Sequence, residues 1–349
     1  MADSESWAEK LTVIWDSTLG PFFLLANILL IFIILKYTPE STKTYASIIL
    51  TITISDCFSV IGNFMASPRV LPRGNQVFMI FRGRCITFFD SDIEKRAQMC
   101  LYFYSMQMQF YLLNHVILVF SYIYRMLIIT HPFGKFDKRK VVNGILWIYS
   151  LVHVSYFILL ILKKFQHWVW YSALQPMEII NREISKFETN ISLSGATYNG
   201  VVDLSAPSQI VFNILTISSS FIVMVVVVFC RWRIFEFTKK YEYSEAVKKM
   251  HKALETIFSA QAIGPLLSSL TSILYVILPK IGASHSTTVI VEDLMGRPLV
   301  LMYIVNPIVN IIFMAPYKHA VLKWFNYTPL NETRRPVSST QNSRPIMVT

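Results

Sequence analysis

Three sets of side chains in this 349-residue chain sit where simple packing does not explain them. Asp56 lies inside the apolar stretch TYASIILTITISDCFSVIGNF, the one acid deep in any apolar run. An ionisable group there needs a partner or a function. Arg125 follows Tyr124 at the end of CLYFYSMQMQFYLLNHVILVFSYIYR. A cation at the centre of a membrane-spanning helix costs roughly 2.5–3.5 kcal/mol, so Arg125 is expected at a helix end. Cys85 and Cys100 bracket the segment that leads into that run. These residues offer intramembrane hydrogen bonding, a charge at a membrane surface and a crosslink. Catalysis has no comparable signature. There is no HExxH, no P-loop and no Cys/His cluster with metal spacing, and His115, His131 and His153 are scattered singly. The expectation is a protein that is not an enzyme and holds no metal or cofactor.

The elements that position these residues follow from composition. The chain is 54% hydrophobic and 15% charged, with a mean hydropathy of +0.47. A soluble domain carries about a quarter charged residues, so most of this surface faces lipid. About 20 apolar residues are needed to cross roughly 30 Å of hydrocarbon as a helix. Seven runs qualify, at 16–36, 44–66, 98–123, 141–163, 208–230, 253–279 and 297–315. The fold expected is an all-α integral membrane protein, a seven-helix bundle over residues 1–325 with a disordered cytoplasmic tail at 326–349. The first run lacks a basic leader and a small-residue cleavage site, so it reads as a retained span.

The net charge of +11 asks first for a topology, with no nucleic-acid partner implied. With the acidic N-terminus (Asp3, Glu5, Glu9) outside, the basic segments at 135–140, 231–252 and 318–323 fall in the cytoplasm. Arg69, Arg73, Arg82, Arg84, Lys95 and Arg96 run against this bias. Asn190-Ile-Ser192 is a glycosylation sequon that this orientation places in the lumen. Cys57 lies in a span and Cys230 at a cytoplasmic end, whereas Cys85 and Cys100 lie on the oxidising side. A Cys85–Cys100 disulfide is the expectation, with two free thiols as the alternative.

Along the chain, Asn27 is the polar residue in the middle of the first span. Asp56 reads either as a functional acid or as a neutral packing residue bonded to Asn27 or Ser55. The segment MASPRVLPRGNQVFMIFRGRC has the prolines and glycines of turns. After the fourth span, PMEIINREISKF has the spacing of a short helix, in a loop that otherwise reads as loosely ordered. Pro265 and the pair Asn306-Pro307 break the sixth and seventh spans, and a proline inside a helix kinks it. PYKHAVLKWF then reads as an amphipathic helix in the membrane interface.

Taken together, Asn27, Asp56, Tyr124-Arg125, Trp147, Pro265 and Asn306-Pro307 resemble the landmark positions of rhodopsin-like seven-helix receptors. The stretches NILLIFIILKYTPESTKTY, PRVLPRG, GRC with Cys100, FSYIYR, SAQAIGPLL and PYKHAV are most similar to the nematode chemosensory serpentine receptors of class delta, the Srd group. The resemblance covers residues 16–325. It departs at Tyr124, which replaces the acid before the arginine, at Ile263 and at Asn310. No cysteine stands in the second extracellular loop, and a Cys85–Cys100 bridge would substitute for the usual one.

The resemblance implies a multi-pass receptor in the plasma membrane, by implication that of a sensory cilium, with its N-terminus outside. Its partners would be a small odorant or pheromone, a heterotrimeric G protein and the bilayer. Gln107, Met108 and Tyr111 fall at the depth where related receptors meet ligands, with Tyr275 and Tyr303 as walls. Tyr124, Arg125, Pro265, Asn306 and Pro307 would form the switch, with Glu245 restraining Arg125 or simply pairing with Lys248 or Lys249. An amine ligand would want an acid near Gln107, and retinal a lysine on the seventh span; the chain has neither. The alternative is a ligand-gated channel or a transporter, although a transporter would show broken spans in matching halves. A seven-span odorant channel would place its N-terminus inside. Glycan occupancy at Asn190 therefore separates the orientations: glycosidase treatment is expected to increase gel mobility, and Asn190→Gln to abolish that shift.

Overall fold

The computed structural model describes residues 7–73, 76–87, 93–130, 197–201, 207–240 and 297–324, with 253, 255–257, 259–264, 266–267, 270, 273–274, 277 and 281. The first span is a helix from Trp7 to Tyr37, the second from Lys43 to Ala66 and the third from Ile93 to Thr130. The fifth runs from Pro207 to Lys240 and the seventh from Arg297 to Phe313. Described residues of the sixth span between 253 and 277 are helical. The fourth span with Trp147, the stretch 176–187 and the tail 326–349 lie outside the described residues. Among the described residues, three helices are long and apolar enough to cross a membrane, or four if the bent seventh helix and its successor count as one.

Several helices outrun their apolar stretches. The first begins at Trp7 rather than residue 16, and the fifth continues past Cys230 to Lys240. The third extends to Thr130, so Arg125 is not the terminal residue that the cost of an intramembrane cation suggested. It is 1% exposed, inside the last turns of the helix. The apolar run ends where the hydrocarbon does, whereas the backbone hydrogen bonds of a helix continue into water.

One buried cluster joins the described spans. Leu30 and Ile33 of the first meet Ile49 and Ile52 of the second, Ile117 and Tyr122 of the third, Val227 and Cys230 of the fifth and Ile257 of the sixth. Leu25, Leu35, Val225 and Ile312 face outward and are more than half exposed. In water such residues would be a liability; in lipid they are the solvent-facing surface. The short helix Ala315–Trp324 turns 92° from the seventh span at Met314. It docks on the first helix through Tyr317 to Thr38 at 3.0 Å and Trp324 Nε1 donating to Tyr37 Oη at 3.2 Å.

The segment expected to form turns is instead a hairpin. Strand β1, Pro68–Arg73, pairs antiparallel with β2, Gln76–Phe81, placing Arg69 opposite Ile80. Strand β3, Thr197–Val201, comes from the loop after the fourth span and pairs with the other edge of β2. Pro68 and Pro72 lack N–H donors, which an edge strand tolerates, so the same prolines that read as turn signals fit β1. The second span ends at Ser67 in a left-handed conformation, φ 37°, whose N–H bonds to Asn63 O at 2.7 Å. The returning chain then bonds Gly83 N–H to Ala66 O at 3.1 Å. A Cβ on Gly83 would overlap the backbone of Met65 and Ala66. Cys85 and Cys100 are joined by a disulfide with Cα atoms 5.2 Å apart, in a buried cluster with Met79, Phe81 and Tyr104.

The second and third spans approach closely at Gly62. A Cβ there would meet Phe103 O at 2.7 Å and Gln107 Cβ at 3.0 Å. Gly62→Val is therefore expected to force the helices apart and cost about 1–3 kcal/mol. Thermal unfolding of the purified receptor in detergent measures this; an unchanged midpoint would refute the close-packing argument.

Candidate functional site

The intramembrane acid organises the centre of the bundle. Asp56 is 1% exposed, and its carboxylate accepts a hydrogen bond on each oxygen. Asn114 Nδ2 of the third span donates to Oδ1 at 2.7 Å, and Asn306 Nδ2 of the seventh donates to Oδ2 at 2.7 Å. Neither Asn27 nor Ser55, the partners considered from the sequence, bonds to it. Ser55 donates to the Phe110 carbonyl at 3.0 Å and pins the second span to the third.

Asn27 has a different task. Pro307 has no N–H to donate to the carbonyl of residue 303, four positions earlier. Asn27 Nδ2 reaches that Tyr303 carbonyl at 2.7 Å while also bonding its own Phe23 carbonyl at 2.9 Å. The first span thus repairs the proline break in the seventh. One turn on, Asn310 Nδ2 donates to the Asn306 carbonyl at 2.8 Å.

Beside Asp56 lies a cavity of about 40 Å³, bordered by Tyr111, Asn114, His115, Gln261, Tyr303 and Asn306. Small-molecule pockets run to several hundred Å³, so this space does not admit an odorant in the conformation described. The Oδ1 atoms of Asn114 and Asn306 and both polar atoms of Gln261 are buried without a hydrogen-bond partner among the described residues. His115 Nδ1 lies 2.9 Å from the Tyr111 carbonyl, and the two rings meet edge to face at 4.2 Å. No group of three His, Cys, Asp or Glu side chains that could hold a metal occurs among the described residues.

The residues proposed for ligand contact divide. Tyr111 and Tyr303 border this cavity. Gln107 Nε2 donates to Asn63 Oδ1 at 3.2 Å, one layer further out. The Tyr303 hydroxyl is directed toward Ser59 and Gln107 without closing a hydrogen bond to either. Met108 packs instead on the Cys85–Cys100 cluster. Tyr275 lies outside the described residues, as do Glu245, Pro265 and Asn190.

At the end of the third span remote from the disulfide, Arg125 lies within electrostatic reach of Tyr45, Glu255, Tyr122 and Arg231. Tyr124, in the place of the usual acid, packs edge-on against Tyr45 of the second span with ring centres 5.8 Å apart. Asn114, Tyr45, Arg231 and Glu255 were not singled out from the sequence. Asn114 carried a signal, since it lies about three helical turns from Arg125 and so on the same face of the third span. Tyr45 and Glu255 carried none, because their partners are remote in sequence.

If Asp56 clamps the second, third and seventh spans, Asn114→Ala is expected to cost about 1–2 kcal/mol, the worth of an interhelical hydrogen bond in a membrane protein. Combined with Asp56→Asn it should show a coupling of about 0.5–3 kcal/mol. Unfolding midpoints of the two single variants and the double variant in one detergent measure the cycle; strict additivity would dismiss the clamp.

The comparisons with known proteins agree with this architecture. The family model for the serpentine-type seven-transmembrane chemoreceptor Srd matches residues 12–323. Serpentine receptor class delta-3 of Caenorhabditis elegans is 23% identical over 336 residues, covering 89% of this chain and 86% of that protein. Serpentine receptor class delta-1 of the same organism is 23% identical over 318 residues, covering 88% and 79%. The match spans the bundle from the first helix to the short helix after the seventh, and the chain belongs to the Srd family of seven-transmembrane chemoreceptors.

Proposed function

We propose that this chemoreceptor binds a small odorant or pheromone from the extracellular side and activates a heterotrimeric G protein. Opening of the cytoplasmic ends of the fifth and sixth spans would expose Arg125. The observation that carries the reading is the path of the third span. One helix runs from the disulfide at Cys100, past Gln107 and Tyr111, through Asn114 on Asp56, to Arg125 buried at the far end. A ligand that shifted this helix or its partners outside would change the surroundings of Arg125 inside.

Ligand binding shifts such an equilibrium only by the difference in affinity for the two states. The Asp56 clamp and the proline-bearing segments of the sixth and seventh spans would be the parts able to adopt two arrangements. Gln107, Met108, Tyr111, Tyr275 and Tyr303 are the ligand-contact residues of this reading, and an aromatic and methionine-rich lining suits a small apolar molecule. Glu245, on the cytoplasmic extension of the sixth span, would restrain Arg125 at rest. The receptor would act in a sensory ciliary plasma membrane, N-terminus outside, with Asn190 glycosylated.

The test is a panel of volatile and water-soluble odorants applied to cells expressing the receptor, with G-protein nucleotide exchange and membrane current recorded in parallel. An active odorant is expected to drive exchange without current. Arg125→Ala should lower that exchange by roughly tenfold, within the range of allosteric coupling, with surface expression retained. Ligand-evoked current without exchange would overturn the reading.

A further inference from the structure

The fifth and sixth spans are joined near the cytoplasm by a polar bridge that also reaches the third. Arg231 of the fifth span donates from Nε to Glu255 Oε1 at 2.9 Å and from Nη1 to Ser259 Oγ at 3.3 Å. Glu255 and Ser259 are four positions apart, so they lie one above the other on one face of the sixth span. A guanidinium presents several donors in a rigid fork and can bridge both, which a lysine could not do in the same geometry. Ser259 Oγ also lies 3.4 Å from the hydroxyl of Tyr122, a fully buried residue of the third span. Tyr122 is three positions before Arg125, on its face of the helix. Glu255 is the carboxylate whose field reaches Arg125.

These contacts meet a need created by the sequence. Tyr124 replaces the acid that would otherwise neighbour Arg125, and among the described residues the carboxylate whose field reaches that arginine is Glu255 of the sixth span. We infer that Arg231, Glu255, Ser259 and Tyr122 form a resting-state latch that holds the cytoplasmic half of the sixth span against the fifth and third. Outward displacement of the sixth span alone breaks all three contacts together. The Arg231 and Glu255 side chains are 53% and 35% exposed, so the latch is weak enough for a ligand to open. Its position is sensitive nonetheless, because one turn of helix separates it from Arg125.

The chain holds a native reporter for this motion. Cys230, adjacent to Arg231, is 1% exposed and packs in the same cluster as Ile257 of the sixth span. Cys57 is the other free thiol. In full-length Cys57→Ser receptor reconstituted in nanodiscs, Cys230 is left as the sole free thiol, and its maleimide labelling rate reads the separation of the fifth and sixth spans. Glu255→Gln and Arg231→Gln are each expected to raise that rate roughly two- to fivefold, the worth of a partly exposed ion pair. The exchange Arg231→Glu with Glu255→Arg should return it toward the parent value. Arg233→Gln, which breaks an ion pair within the fifth helix, should leave it unchanged. Labelling unaltered by Glu255→Gln, or not restored by the charge exchange, would overturn the latch. The inference rests on the receptor reading for its purpose, and the two fail separately. Faster labelling with no rise in basal nucleotide exchange would keep the latch and remove the G-protein reading.

Discussion

A single carboxylate in a low-dielectric setting fixes the arrangement of three helices. Asp56 presents two oxygens, and each is taken by an asparagine amide from a different span, at 2.7 Å in both cases. An unpaired acid at this depth would be costly, and each amide that satisfies it is itself a polar group needing burial with a partner. The solution binds all three together, so the register of the third and seventh helices against the second is set by a polar requirement. Apolar packing in lipid would not set it so tightly, because lipid tails solvate leucine as well as another helix does.

The remaining polar groups of the midplane follow from that arrangement. Pro307 frees a carbonyl on the seventh span, and Asn27 supplies the missing donor from the first. Gly62 lets the second and third helices come close enough for Ser55 to reach the Phe110 carbonyl and Gln107 to reach Asn63. These contacts lie in layers, from the disulfide at one end of the third span to Asp56 in the middle. The buried oxygens of Asn114 and Asn306 and the amide of Gln261 face the same small cavity.

Much of this was legible in the chain itself. Helix number and order followed from the length of apolar runs, and Asp56, Asn27, Arg125 and the proline breaks stood out as polar or helix-breaking residues in apolar surroundings. What they bond to did not. Asp56 and Asn306 are separated by 250 positions, and no local pattern records such a pair. Helix ends were missed for a physical reason, since hydropathy marks the lipid boundary and not the last backbone hydrogen bond. The three-stranded sheet was missed because prolines mark both turns and edge strands, and β2 acquires its second partner from a segment more than a hundred residues away.

The two ends of the third helix solve opposite problems. At one end, the chain ties Cys100 to Cys85 and covers the bridge with Met79, Phe81 and Tyr104, a covalent and apolar anchor that does not depend on charge. At the other end, a guanidinium is buried beside tyrosines, with Tyr124 turned onto Tyr45, and among the described residues the carboxylate whose field reaches it belongs to the sixth span. A local acid would move with Arg125 and could not report on the sixth span. Glu255, carried on the sixth span and already shared with Arg231, ties the electrostatic environment of Arg125 to the position of that span. With the latch proposed above, the restraint that a neighbouring acid would supply from within one helix would come from the contact between helices.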